Sequence, residues 1–460
     1  MSADEYADLV AVGGNVLTFD ARDGRASGLA ARAGRLVAVG TDEEALAHAG
    51  PGTRVLSLAG RTVLPGINDS HLHAAWLGAV WPDTLISENG LSAHQCRLLA
   101  DEESRRAAIL RAGRICASLG ITSYTEPGLG PGEDDGETGC FSQAVLDTYA
   151  TLAKEGELRA RVTALRLFGT LDGPSTLEDV AAGLDAPLPR TDPAWLNVTG
   201  LKIFADGIPP MGSAWTCHHY TSGGHGSLLV AGADDTTREH NLRTMIRLAH
   251  RAGLQVGVHA TGDRSIDAFV DTVAELAGEP TPDGPGRGAA RRHYVIHGDL
   301  VNPAQIARMA GLGMGLTTQP VIATATADWV ADALGPEVAG AAWPLQELLA
   351  SGMTFTLSSD GPVTTPDWRA QVAAACGLLG ERAPRPRLMA RLLRCYTTAP
   401  AVQDGAETWK GSLEWGKAAD FCVLDRDPLE VAPADLPEVA VDATVTAGRI
   451  VHLRDGVSLD

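Results

Sequence analysis

Between Pro65 and Pro400 short apolar runs of strand type alternate with stretches of helical periodicity, and this alternation is sustained over roughly 300 residues. Helical spacing is expected over residues 237–251, 265–276, 303–311 and 368–379. Strand ends are expected at His71/His73, Thr125/Glu126, Phe168, Lys202 to Phe204, His259, His297, Thr317/Thr318 and Ser359/Asp360. Strands and helices that alternate this way must bury both faces of a parallel sheet. Eight strand ends match a TIM-type (β/α)8 barrel, which typically needs about 250 residues. A doubly wound open sheet would alternate too, but it would not need both ends of the chain to be purely β.

Both ends read as β. The first 64 residues hold strand-like runs over 8–18, 28–39 and 55–64, and the stretch from Gly411 holds two more, 420–424 and 443–453. The tripeptide Ala-Gly-Arg recurs at Ala33, Ala59 and Ala447, each time ahead of a β-prone run, and glycine there suits a hairpin turn. The expected organisation is a small β-sandwich domain from residues 1–64 plus 401–460 beside a β/α barrel at 65–400.

Charge narrows the function. With 37 Lys plus Arg against 57 Asp plus Glu, the net charge is -20, so neither nucleic acid nor an anionic membrane is an expected partner. No run of about 18 apolar residues occurs and the start lacks a basic, apolar leader, so a cytoplasmic protein is expected. The 7 cysteines, Cys96, Cys116, Cys140, Cys217, Cys376, Cys395 and Cys422, never fall in a CxxC spacing, which speaks against a disulfide framework or a thiolate zinc site. Only Lys154, Lys202, Lys410 and Lys417 are lysines; every other cation is Arg, so a lysine at a suspected site is informative.

The strongest local signal is the decapeptide ending in His71-Leu72-His73. Histidines two apart on a strand share a face and can reach one ion from one strand end. His-x-His alone is as easily a pair of ordinary surface or core histidines. Lys202, His259, His297 and Asp360 also fall at expected strand ends, and a barrel gathers such ends at one mouth. Singly, each could be a satisfied core residue, Asp360 a helix cap and Lys202 a salt-bridged residue; together they form a set of ligand-type groups on one rim.

At these residues the chain resembles the amidohydrolase superfamily of metal-dependent hydrolases, and within it amidohydrolase family 3, which includes N-substituted formamide deformylases. The matching stretches are residues 64–73, 201–207, 259–264, 292–302, 358–363 and 411–420. The resemblance implies that His71, His73 and Asp360 hold one cation and His259 with His297 a second. It also implies that Lys202 is carboxylated and bridges them. A neutral amine that captures carbon dioxide becomes a carbamate with two oxygens, which an always-charged Arg cannot do. Zn2+ is the default ion, one or two per chain, with Mn2+ or Fe2+ able to use the same N/O donors. Ile296 stands where relatives often carry Glu, which leaves the sixth-strand histidine short of a partner.

The implied activity is hydrolysis of an amide-type C–N bond, N-formyl or N-acyl, by a metal-activated hydroxide, with Asp360 as general base and then acid. The alternatives are a mononuclear deaminase of the same superfamily and a metal-binding relative without catalysis. Trp76, Trp81, Trp215, His218 and Gln319 are expected to line the substrate pocket, and the tryptophans suit an apolar or aromatic group. Trp329 and Trp368 are placed near the same mouth, and Asp263 is expected to fix the His259 loop. The loop over residues 206–228 is read as either a lid or a mobile surface loop. The partner is a small molecule, and a homodimer is the family-level expectation.

Overall fold

A computed structural model describes residues 6–87, 90–91, 98–277 and 291–459. Eight parallel strands form its central sheet: β1 (Ile67–Asp69), β2 (Ile121–Leu129), β3 (Arg161–Leu167), β4 (Leu196–Phe204), β5 (Gln255–Ala260), β6 (Tyr294–His297), β7 (Gly315–Thr318) and β8 (Thr354–Leu357). Each pairs with its sequence neighbours in order, the arrangement of a (β/α)8 barrel. The strands are almost entirely buried, as expected when helices cover one face and packed side chains fill the other. β1 and β8 close the cylinder through their ends: Ser70 Oγ donates to the Leu357 carbonyl at 3.2 Å and Asp360 N–H to the His71 carbonyl at 2.9 Å.

The helices fall close to the expected positions, Asp235–Arg251, Asp263–Leu276, Pro303–Gly311 and Trp368–Leu378. Their starts are set by side chains that satisfy free backbone N–H groups. Asp234 accepts from Thr237 N–H, and Asn302 with Gln305 makes a reciprocal capping box.

The two chain ends build the smaller β unit. A four-stranded sheet uses only N-terminal strands, whereas a six-stranded sheet pairs Phe421–Leu424 antiparallel with Thr62–Pro65, interleaving the termini. Leu9, Leu29, Leu56, Val63, Phe421 and Val445 are among the side chains packed between them. At Ala33-Gly34 and Ala447-Gly448 both central residues have positive φ, and each dipeptide joins adjacent antiparallel strands, as a type I′ hairpin turn does. Ala59-Gly60 also has positive φ at both positions, yet it carries the chain from Arg54–Ser57 in one sheet to Thr62–Pro65 in the other. The hairpin expectation is therefore corrected there: the strand before the turn already pairs with Leu9–Val12.

Cys96 lies outside the described residues, and the other six cysteines are free thiols. Among the described residues no helix is long and apolar enough to cross a membrane.

Candidate metal centre

His71 and His73 lie beyond their strand. β1 stops at Asp69, and the histidines occupy the bend that follows, with His73 immediately before the helix Ala74–Val80. The expectation of two imidazoles on one face of a strand is thus corrected, and other contacts set their aim. Leu72 N–H donates to the Thr125 carbonyl and His73 N–H to the Gly361 carbonyl, both at 2.9 Å. Buried Asp69 accepts from His71 N–H at 3.2 Å and from the Ser359 hydroxyl at 2.6 Å, pulling the ends of β1 and β8 together. Its carboxyl is pushed up to about 7, chiefly by burial.

Asp360 sits past the end of β8 with φ +55°, and His297 at the end of β6 has φ +74°. Left-handed backbone in non-glycine residues is costly and gathers at functional sites. Asp360 Oδ1 lies 3.2 Å from His71 Nε2 and 3.4 Å from His73 Nε2, so two imidazoles and a carboxylate converge. Around this mouth His71, His73 and Asp360 are the residues whose donor atoms all fall within 4.8 Å of one another.

The remaining histidines continue as a chain of rings. Centroids are 5.1 Å apart for His73–His71, 5.3 Å for His71–His297 and 4.5 Å for His297–His259. Gln319 donates its amide N–H to Ser358 Oγ at 2.8 Å, so its carbonyl oxygen is the acceptor 2.8 Å from His297 Nδ1. The imidazole proton then sits on Nδ1 and the Nε2 lone pair is free. Gln319, expected to face substrate, instead orients His297 and supplies the partner that Ile296 could not. His259 Nε2 lies 3.0 Å from the Gly207 carbonyl, which places that proton on Nε2 and frees Nδ1. Burial drives His71 and His297 well below the ordinary imidazole range and His259 down to about 3.

Lys202, near the end of β4, is 1% exposed. Its Nζ lies 4.6 Å from the Phe204 ring centroid and has no hydrogen-bond partner. Burial brings it down to about 8, opposed by the charges of Asp360 and Asp172. The β2 bulge at Gly128, φ +122°, passes beside it: a Cβ there would stand 3.5 Å from Lys202 Cγ.

Asp360 Oδ1 and Lys202 Nζ are buried without hydrogen-bond partners, and His71 Nε2 and His73 Nε2 both face that Asp360 oxygen. Buried polar atoms are normally paired, and nitrogen lone pairs facing a carboxylate oxygen repel it. A divalent cation resolves that arrangement, so the donor set fits a metal.

Two carboxylates do structural work that the sequence did not reveal. Glu126 on β2 is 1% exposed, has Oε1 3.7 Å from His73 Nδ1, and accepts from the Tyr149 hydroxyl at 2.8 Å. Its signal was its place beside Thr125 at a strand end. Asp206 is fully buried and accepts from Trp215 N–H, Thr261 N–H, Gly262 N–H and Ser265 Oγ at 2.5 to 3.0 Å. It fixes the His259 loop, the task expected of Asp263, because its carboxylate faces inward whereas that of Asp263 turns to Cys217. Gly262 permits this approach: a Cβ there would stand 2.1 Å from the Trp215 carbonyl.

Of the tryptophans expected to line the pocket, Trp76 has its ring 6.2 Å from that of His73. Phe141, unexpected, stands 5.1 Å from His73 and 5.6 Å from Trp76, so the two rings form an aromatic wall. Trp81 is half-buried at the end of the helix Ala74–Val80, and its carbonyl accepts from Arg111. Buried Trp215 lies under the Arg264 guanidinium, 4.2 Å from its ring. His218 is exposed and directed at Asp263 rather than at the other histidines. Trp329 is 39% exposed, and Trp368 is buried with its Nε1–H on the Leu119 carbonyl, so neither joins the wall. The 206–228 loop is pinned: Thr221 N–H donates to the Ala333 carbonyl, and Tyr220 packs with Val330, Leu334 and Trp343.

A family model described as the amidohydrolase family matches residues 81–452. The chain belongs to that family. This amidohydrolase is 25% identical to an N-substituted formamide deformylase of Arthrobacter pascens over 98% of its own length and 99% of the relative's. It is 26% identical to an imidazolonepropionase of Symbiobacterium thermophilum over 92% and 89% of the two chains. An uncharacterized metal-dependent hydrolase from Pyrococcus horikoshii shares the fold, with TM-score 0.71 and 18% identity over 93% and 99% of the chains. The family makes the protein a hydrolase acting on C–N bonds and implies a divalent metal.

Proposed function

We propose that this amidohydrolase cleaves an N-formyl or N-acyl amide of an amine bearing an apolar group, at a centre of two divalent cations. The observation that carries the reading is Lys202: a buried amine without a partner, among histidines with free lone pairs, on the rim that also holds Asp360. His71, His73 and Asp360 would hold one ion, His259 through Nδ1 and His297 through Nε2 the other, with carboxylated Lys202 between them. Bound zinc, manganese or iron would supply Lewis-acid activation of water and of the substrate carbonyl.

The protein's own groups do the rest. Asp360 takes the proton from the attacking water and returns it to the leaving nitrogen. Gln319 and Gly207 hold the tautomers of His297 and His259, and the Glu126 carboxylate lies beside His73 Nδ1. The Trp76–Phe141 wall beside His73 receives the apolar group and keeps bulk water away from the scissile bond.

One observation favours a single ion: among the described residues the tight donor cluster at the barrel mouth is His71, His73 and Asp360. That is the arrangement of a mononuclear deaminase. Metal analysis separates the two readings. About two equivalents per chain, falling together with turnover in Lys202→Ala, supports the binuclear hydrolase; about one equivalent, unchanged in Lys202→Ala, supports the deaminase. Screening formamides, N-acyl amino acids and cyclic amides with the zinc-loaded protein identifies the substrate class, and sedimentation tests the homodimer expected from the family.

A further inference from the structure

A second group of ligand-type side chains lies on the loops that follow β4 and β5. Cys217 and His218 are neighbours on the pinned 206–228 loop, and Asp263 opens the helix Asp263–Leu276. The three offer a thiol, an imidazole and a carboxylate whose donor atoms all fall within 4.8 Å of one another. The two oxygens of Asp263 have separate tasks. Oδ1 accepts the backbone N–H of Cys217 at 2.9 Å and of Arg264 at 3.0 Å, which fixes the carboxylate against both loops. Oδ2 faces Cys217 Sγ at 2.6 Å and His218 Nε2 at 3.8 Å.

The group is open on one side. Asp263 is 7% exposed, whereas Cys217 and His218 are exposed, beside a cavity of about 530 Å³ that Asn302 and Glu337 also line. An ion can therefore enter without unfolding either loop, and water can complete four-coordination. A sulfur donor also separates this trio from the N/O set at the barrel mouth. Zinc and cadmium accept thiolate with imidazole and carboxylate, while magnesium and calcium prefer oxygen alone.

We propose that Cys217, His218 and Asp263 form an accessory site for a thiophilic divalent cation, zinc in the first instance, separate from the catalytic cluster. The site is tied to the catalytic strand ends. Asp206 holds Trp215 N–H on one loop and Thr261 and Gly262 N–H on the other, so the segments carrying Cys217 and Asp263 are fixed to one carboxylate.

Cadmium serves as the probe, because its bond to a thiolate gives a charge-transfer band in the ultraviolet that histidine and carboxylate ligands do not. Titrating the full-length, metal-stripped protein with Cd2+ should produce this band, with one equivalent lost and the band abolished in Cys217→Ser. His218→Ala, a change at an exposed position, should keep the fold and weaken binding at the band-forming site by at least roughly 10-fold. His71→Ala should lower the total metal content while leaving the band intact, which separates failure of this site from failure of the catalytic one. A wild-type protein with no band, or a band of equal intensity and affinity in Cys217→Ser, overturns the proposal.

Discussion

Two lysines are buried in this protein, and they are treated in opposite ways. Lys410, 6% exposed, donates to the Asp404 carboxylate at 2.6 Å and to Ser123 Oγ at 2.7 Å, while Asn68 donates to the same Asp404 oxygen at 2.8 Å. Lys202, 1% exposed, meets an aromatic ring and no acceptor. The first is a finished ion pair, whose removal leaves a charge stranded; the second is a buried amine with no such partner, the group that the proposed carboxylation would use. A buried charge thus reports function where its satisfaction is incomplete, not merely where it is buried.

The comparison breaks most sharply under paired substitution. Lys202→Met should lower turnover by roughly 10³-fold or more while leaving the melting temperature of the metal-free protein unchanged or raised, because an unpaired buried amine is lost. Lys410→Met should do the reverse, costing about 3–5 kcal/mol of stability through the stranded Asp404, with activity retained in the molecules that remain folded. Calorimetry beside turnover reads both; equal destabilisation by the two changes would erase the distinction. Asp360→Asn keeps the shape of the cluster but removes the proposed base, and kcat should fall by about 10²–10⁴-fold without loss of folding. Gln319→Leu frees the His297 ring, so metal affinity should weaken roughly 10- to 100-fold, measured by competition with a chelator.

The smallest effect is on pH dependence. Burial holds Lys202 at about 8 in the folded, metal-free protein, against ~10.4 in an unfolded chain. Between those values the unfolded state binds more protons, so this lysine makes stability rise with pH over that window, with its full penalty present below it. Chelated wild type should therefore gain stability relative to Lys202→Met as pH climbs from about 8 to ~10. A difference that stays constant across that range would remove the depressed lysine.

Much of the barrel was legible because hydrophobic period and turn chemistry are local. The helix starting at Pro303 and the turns at Ala33 and Ala447 depend on residues within a few positions of one another. That His71, His73, Lys202, His259, His297 and Asp360 would gather at one mouth was legible because a barrel collects strand ends; the roles given to them are proposals. The supporting residues were not. Asp206 and Asp263 are both acids after strands, and only the folded loops decide which turns inward to bind four donors. Phe141 follows an acidic loop with no aromatic signal of its own, yet β2 and the next helix bring it to His73. Gln319 looked like a pocket residue because its partner, His297, is 22 positions away.

The Asp206 carboxylate has a consequence for anyone recombining this scaffold with its relatives. Since it clasps backbone from both the β4 and β5 connections, grafting either loop alone strands donors and acceptors on the other. Useful crossover points lie before β4 and after Ser265, so that the whole clasp is inherited as one cassette.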